Sequence, residues 1–286
     1  MAKALVLGGG GPVGVAWEAG LIAGLAEGGV DVSSADFVVG TSAGSFVGAQ
    51  LALGRSPAEI AAPDLAGAIR PPQSNAPAPD LTMLLAKLME AASGARPAEE
   101  VRAELGAWAL QTPAISEEEF MARFAPALGG EFDGAWPAKS YACTAVDTAD
   151  GSFMVWNKDA GIGLARAVAS SCAVPGIFPP ISFRGRRYMD GGMRSGTNSD
   201  LAKGFEVVIV VSVTGRMMPG PFRSRFDGEM QKLRDGGSRM EVILPDDESA
   251  AAFGINLMDA SRRQPSAQAG LRQGRIEAPR LIGFWR

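Results

Sequence analysis

Twice near its start the chain runs a short apolar segment into a cluster of glycines and out again into apolar residues at helical spacing. Residues 4–7 lead into Gly8-Gly9-Gly10-Gly11-Pro12-Val13-Gly14, after which Val15, Ala19, Ile22 and Ala26 recur with the period of a helix. Asp36-Phe37-Val38-Val39 leads into Gly40-Thr41-Ser42-Ala43-Gly44 and an Ala/Leu-rich stretch to about Leu53. A strand that turns tightly into a helix uses that helix to cross to a parallel neighbour, so two such units in succession commit the chain to a layered α/β sheet. Further strands are expected at 140–146, 152–156 and 207–213, the last a continuous apolar run suited to the middle of a parallel sheet. The expected architecture is a three-layer, mainly parallel sheet with helices on both faces.

A chain of 286 residues, 47% of them hydrophobic, buries a sizeable core without staples, and one domain over 1–286 is expected. Its 37 glycines are nearly twice the usual share, which places them at backbone-critical positions. Pro71, Pro72, Pro77 and Pro79 forbid helix and central strand and mark a loop. Beyond it, Leu81, Leu84, Leu85 and Leu88 keep helical spacing, so residues 64–137 read as a helical insertion whose 81–89 stripe is either plain core or the wall or lid of an apolar pocket. Residues 215–237 mix Met217, Met218, Phe222 and Phe226 with Arg223, Arg225 and Arg234. They read as an irregular, mobile surface loop, whose 217–226 stretch is either a plain polar loop or suited to transient contact with a membrane surface. A helical tail is expected over about 249–275, with Arg262, Arg263, Arg272 and Arg275 on its solvated face. No apolar run approaches the roughly 18 residues of a membrane span, and no signal peptide is read at the start, so a cytoplasmic location, peripheral to the membrane at most, is expected.

The chain has no histidine, which excludes a Ser-His-Asp or Cys-His centre and any metal site built on imidazole. Cys143 and Cys172 lie in apolar contexts and are expected to be reduced and buried. A net charge of −4 offers no broad field for nucleic acid. No metal or cofactor is expected.

Three glycine-rich constellations carry the chemistry. In the first, Gly9, Gly11 and Gly14 fit G-x-G-x-x-G, but a dinucleotide site wants an acid at the end of the second strand, where this chain has Gly40-Thr41-Ser42. Amides at a helix N-terminus can instead face an oxyanion, or simply make a turn. Pro12 has no N–H, so Gly10 and Gly11 are the best donors, with Ala43 a further one. In the second, Gly40 and Gly44 flank Ser42 in a G-x-S-x-G elbow between strand and helix, where the serine is an exposed nucleophile or an N-cap. None of the six lysines is placed to serve as its base, which leaves a carboxylate. The third constellation, Asp190-Gly191-Gly192 after an Arg-rich hairpin-like stretch, supplies one, although Asp-Gly is also a common turn.

Taken together, Gly9-Gly10-Gly11-Pro12-Val13-Gly14, the Ser42 elbow, residues 171–180 (Ser171-Cys172-Ala173-Val174-Pro175-Gly176-Ile177-Phe178-Pro179-Pro180) and Asp190-Gly191-Gly192 resemble, in order, the motifs of the patatin-like phospholipase family. The resemblance spans residues 5 to about 213. It implies a Ser-Asp dyad, Ser42 attacking and Asp190 accepting its proton, with acyl lipids as substrates. The chain departs from the family in carrying Val13 where a basic residue is usual, and in placing Asn198 slightly late, so that Asn198 stays outside the catalytic set. A carboxylate base is expected to keep hydrolysis on its plateau down to about pH 6. The alternative is a non-catalytic lipid carrier, or a nucleotide binder using the first loop.

Overall fold

A computed structural model describes residues 1–69, 82–112, 115–215 and 220–286. The elements follow one another as β1 (Lys3–Leu7), α1 (Gly11–Glu27), β2 (Phe37–Gly40), α2 (Ala43–Ala52), α3 (Pro57–Leu65), α4 (Thr82–Ser93), α5 (Ala98–Gln111) and α6 (Glu117–Met121). Then come β3 (Ser140–Asp147), β4 (Phe153–Trp156), α7 (Leu164–Ser171), β5 (Ile181–Phe183), β6 (Arg186–Asp190) and β7 (Val207–Val211). The chain ends with α8 (Gly220–Asp235), β8 (Arg239–Ile243), α9 (Asp247–Phe253) and α10 (Arg263–Trp285). The proline-rich segment 71–79 lies outside the described residues.

The sheet runs β5-β6-β3-β2-β1-β7-β8, with β4 also paired to β3. β3, β2, β1, β7 and β8 are mutually parallel, and β4, β5 and β6 make the antiparallel end. The period-two alternation of the strands sorts their side chains. Leu5, Val38, Tyr141 and Ile209 share one row and face α1, α2 and α10, while Val6, Val39, Ala142 and Val210 share the other and face α8. Both faces of the central strands are therefore buried, as their continuous apolar runs require. The helical insertion lies over the antiparallel end: Leu84 and Leu105 of α4 and α5 pack on Val146 and Met189.

Helix α1 is apolar nearly all round because it is sandwiched between the sheet and α10. Glycines let the two helices touch backbone to backbone. A Cβ on Gly24 would stand 2.2 Å from the Leu271 carbonyl oxygen, and one on Gly274 would stand 2.3 Å from that of Leu21. Alanine is the better helix former by about 1 kcal/mol. The contact overrules that preference, so Gly274→Ala is expected to destabilise the fold by about 1–3 kcal/mol, read from the midpoint of urea unfolding. A variant as stable as the parent would show that the helices can move apart freely.

Three sequence expectations are corrected. The stretch 215–237 is not an irregular loop over its whole length: Gly220–Asp235 is helix α8, whose Phe226, Met230 and Leu233 are buried against the second face. Its many charges hide an apolar stripe at helical spacing; Met217 and Met218 fall outside the described residues. The final helix does not stop near 275 but continues to Trp285, because Ala278, Leu281 and Trp285 are buried and the Trp285 indole donates to the Asp31 carbonyl at 2.8 Å. Nor are its arginines all on a solvated face: Arg262 and Arg275 are exposed, but Arg263 and Arg272 are partly buried. Arg263 makes a bidentate pair with buried Asp64 at 2.6 and 2.8 Å, Arg272 pairs with Asp246 and Glu248, and Arg275 with Glu27.

Candidate active site

Ser42 stands between β2 and α2 in a backbone conformation that L residues rarely adopt, φ 51° and ψ −117°. Both elbow glycines are required by close approach: a Cβ on Gly44 would lie 2.2 Å from the Leu7 carbonyl oxygen, and one on Gly40 would lie 2.4 Å from that of Gly44. The turn is tied down on every side. The Ser42 amide donates to Ser171 Oγ at 3.0 Å, and its carbonyl accepts from Ser45 Oγ at 2.6 Å and Cys172 Sγ at 3.2 Å. The serine hydroxyl makes no capping bond to α2, so the strain does not serve the helix. Ser42 is not the exposed residue expected; it is only 7% exposed and opens onto two clefts.

Asp190 ends β6, opposite Ala145 of β3, with its amide bonded to the Ala173 carbonyl. Its Oδ1 accepts the Gly192 amide at 2.7 Å, whereas Oδ2 is buried with no hydrogen-bond partner. Burial pushes the carboxyl up to about 7, against the opposing pull of the Ser42 hydroxyl and the Gly192 amide. No hydrogen bond of ordinary geometry yet joins Ser42 to Asp190, but both line one cavity. Among the described residues, Asp190 is the carboxylate that lines either of the cavities at Ser42. The other acids near the sheet are spent or sealed away: Asp147 pairs with Arg186, Asp200 with Arg194, and Glu18 is fully buried behind the glycine loop.

The first glycine loop lies against the elbow, a Cβ on Gly9 coming 3.3 Å from that of Ser42. Gly8 and Gly9 spend their amides on the carbonyls of Val211 and Gly196. Those of Gly10 and Gly11 have no partner among the described residues and stand at the N-terminus of the 17-residue α1, where backbone partial charge is positive. The amide of Ala43, at the start of α2, is likewise free of protein partners. Gly14 closes the first turn onto the Gly10 carbonyl at 2.8 Å. Gly191 packs so closely that a Cβ would reach 2.1 Å from Thr144 Oγ1.

Sequence reasoning left out Asn198, and the structure gives it a place. Fully buried in a left-handed conformation, it directs Nδ2 at Thr41 Oγ1 (3.0 Å), Ser195 O (2.9 Å), Thr144 Oγ1 and Gly191 O. One amide thus joins the residue before Ser42 to the residue after Asp190. The signal was an asparagine in a Gly-Thr-Asn-Ser turn, a residue type that tolerates positive φ. Cys143 is buried and its thiol is pushed up to about 12 by burial, while Cys172 is half-buried, with its thiol also raised; neither forms a disulfide. No group of three metal-ligating side chains occurs among the described residues.

Two apolar chambers meet at Ser42. One, of about 480 Å³, is walled by Phe46, Phe120, Phe124 and Phe178; the other, of about 390 Å³, lies under α4 and α8 and holds Asp190. Gly11, Val174 and Met258 border both. A strained serine, a carboxyl raised by burial and free amides around an apolar space are the groups that transfer of an acyl group from a long-chain ester would need.

The patatin-like phospholipase profile matches residues 5–203. The chain belongs to this family. The match takes in the glycine loop, the elbow, Asp190 and Asn198 and stops short of α8, β8, α9 and α10. Among solved structures, the chain is similar to VipD from Legionella pneumophila, with 13% identity over 96% of this chain and 66% of that one and a TM-score of 0.46. It is also similar to the type III effector ExoU, at 18% identity, 96% and 53% coverage and a TM-score of 0.39. A further match is the ExoU–SpcU complex of Pseudomonas aeruginosa, at 16% identity, 96% and 52% coverage and a TM-score of 0.35. The chain thus spans half to two thirds of the length of these neighbours. No curated protein matches it.

Proposed function

We propose that this patatin-like chain is a serine acyl hydrolase that cleaves ester bonds of phospholipids or related acyl lipids. Ser42 Oγ attacks the ester carbonyl carbon and its proton passes to Asp190 Oδ2, the carboxyl oxygen without a partner. The amides of Gly10 and Gly11 receive the oxyanion, without help from a basic side chain at Val13. Collapse breaks the bond to the alcohol oxygen, which takes the proton from Asp190 and leaves. Water then attacks the acyl-enzyme, gives a proton to Asp190, and releases the fatty acid as Ser42 is restored.

The observation that carries this reading is the strained elbow, which aims an uncapped serine into the cavity that also holds Asp190. A nucleotide binder fits less well, because the glycine loop opens onto apolar walls. The carrier reading differs in one property: only an activated serine reacts with a fluorophosphonate. Labelling is expected to place a single adduct on the peptide containing Ser42, detected by mass spectrometry, and a folded protein that takes no label would leave a lipid carrier. Among the described residues no helix is long and apolar enough to cross a membrane. Substrate would be drawn from a lipid surface by way of α4, where Met83 and Leu85 are exposed and Leu85 borders the second chamber. Of the 217–226 stretch that the sequence offered for such contact, Phe226 is buried and Phe222 lines the chamber, while Met217 and Met218 lie outside the described residues.

A further inference from the structure

The position of Asp190 makes the two chambers inequivalent. The group that accepts the serine proton must return it to the departing alcohol oxygen, so the alcohol lies on the side of Asp190. Asp190 and Gly10 border the chamber under α4 and α8 and not the aromatic one. The acyl chain is left with the aromatic chamber, where Phe46, Phe120, Phe124 and Phe178 pack edge-on or stacked at 4.4–5.5 Å between ring centroids. Its volume of about 480 Å³, walled by aromatic rings, is room for an aliphatic chain.

The cations of the chambers differ in the same sense. In the aromatic chamber, Arg263 is neutralised by Asp64, and Arg123 lies over the rings of Phe120 and Phe178. On the Asp190 side, Arg194 is neutralised by a bidentate pair with Asp200. Arg225 has no such direct pair: half-buried on α8, it donates to the backbone carbonyls of Arg194 and Ala91 and touches no carboxylate among the described residues. Glu229, one turn along α8, spends its carboxylate on Thr197 and Ser199. Glu229 and Asp200 act on it only through space, so a half-buried guanidinium with no carboxylate in direct contact and N–H groups to spare, at the edge of an apolar chamber, is built to meet an oxyanion such as a phosphodiester.

We infer that the chambers divide a glycerophospholipid: the scissile acyl chain enters the aromatic chamber, and the leaving lysophospholipid occupies the Asp190 chamber with its phosphodiester on Arg225. This rests on the proposed hydrolysis and adds a specificity residue that lies outside the family match. The test compares a phosphatidylglycerol with a diacylglycerol of the same two chains in the same detergent micelles, one substrate carrying the phosphate and the other lacking it. Hydrolysis of either by the wild type upholds the proposed hydrolase, and hydrolysis of neither removes it. Given hydrolysis, Arg225→Gln is expected to lower the phosphatidylglycerol-to-diacylglycerol ratio of kcat/KM by about tenfold, the value of one charge-assisted hydrogen bond, and Arg225→Lys to restore much of it. An unchanged ratio in a folded Gln variant would overturn the role of Arg225. Val15→Phe, which narrows the aromatic chamber, is expected to impair palmitoyl esters far more than butyryl esters. Equal impairment of both would overturn the division of the chambers.

Discussion

Replacing Ser42 by alanine is expected to reduce hydrolysis of a short p-nitrophenyl ester by about 10⁴-fold or more, to near the uncatalysed rate, because among the described residues no second nucleophile borders the chambers with a base beside it. Cys172 does border one of them, but its thiol is raised by burial and is tied to the Ser42 carbonyl. The fold should survive. The hydroxyl makes no capping bond, the elbow is held by backbone and neighbouring side chains, and alanine tolerates the positive φ no worse than serine. Circular dichroism and a melting curve establish that the variant is folded. Full turnover in such a variant would sink Ser42 as the nucleophile.

Asp190→Asn keeps the shape and the bond to the Gly192 amide but cannot accept a proton, so kcat/KM should fall by about 10²-fold or more. The pH profile of the wild type gives the sharper test. A base works only when deprotonated, so with its carboxyl raised to about 7, kcat/KM on a neutral ester should climb as pH rises through about 7 and level off above it. That corrects the sequence expectation of a plateau extending down to about pH 6: burial moves a carboxylate into the range of histidine. Stability should run the other way. The folded state holds this proton more tightly than the unfolded chain, so the stability it contributes is fully present below the unfolded pKa near 4 and is lost as pH rises to about 7. In Asp190→Asn that part of the decline disappears. An acid limb unchanged in every active Asp190 variant would place the base elsewhere.

The early strands, the two glycine turns and the α/β class were legible because they depend on short-range patterns: apolar runs, helical spacing and glycines where another backbone comes close. The elbow glycines are the clearest case, since a Cβ at Gly44 meets Leu7 and no side chain can be fitted there. Helix α8 was hidden because its apolar stripe is diluted by charge, and burial of Phe226, Met230 and Leu233 against the sheet outweighs that local polarity. Arg263 and Arg272 of α10 misled for a related reason. Their partners, Asp64 and Asp246, come from other elements, and Asp64 lies about two hundred residues away.

By itself the sequence determined the family and the absence of histidine chemistry, and it picked out Ser42, Asp190 and the glycine loop as the groups to consider. All of these depend on residue identity and local spacing. Only the tertiary structure decided that Ser42 is strained and nearly closed off, that Asp190 stands near pH 7 rather than at its ordinary value, and that Asn198 ties their two turns together. It also decided that two chambers meet at the serine with the carboxylate on one side. Desolvation, strain and the sidedness of a cavity are set by what folds around a residue, and here β2, β3, β6, α4 and α8 converge from distant parts of the chain.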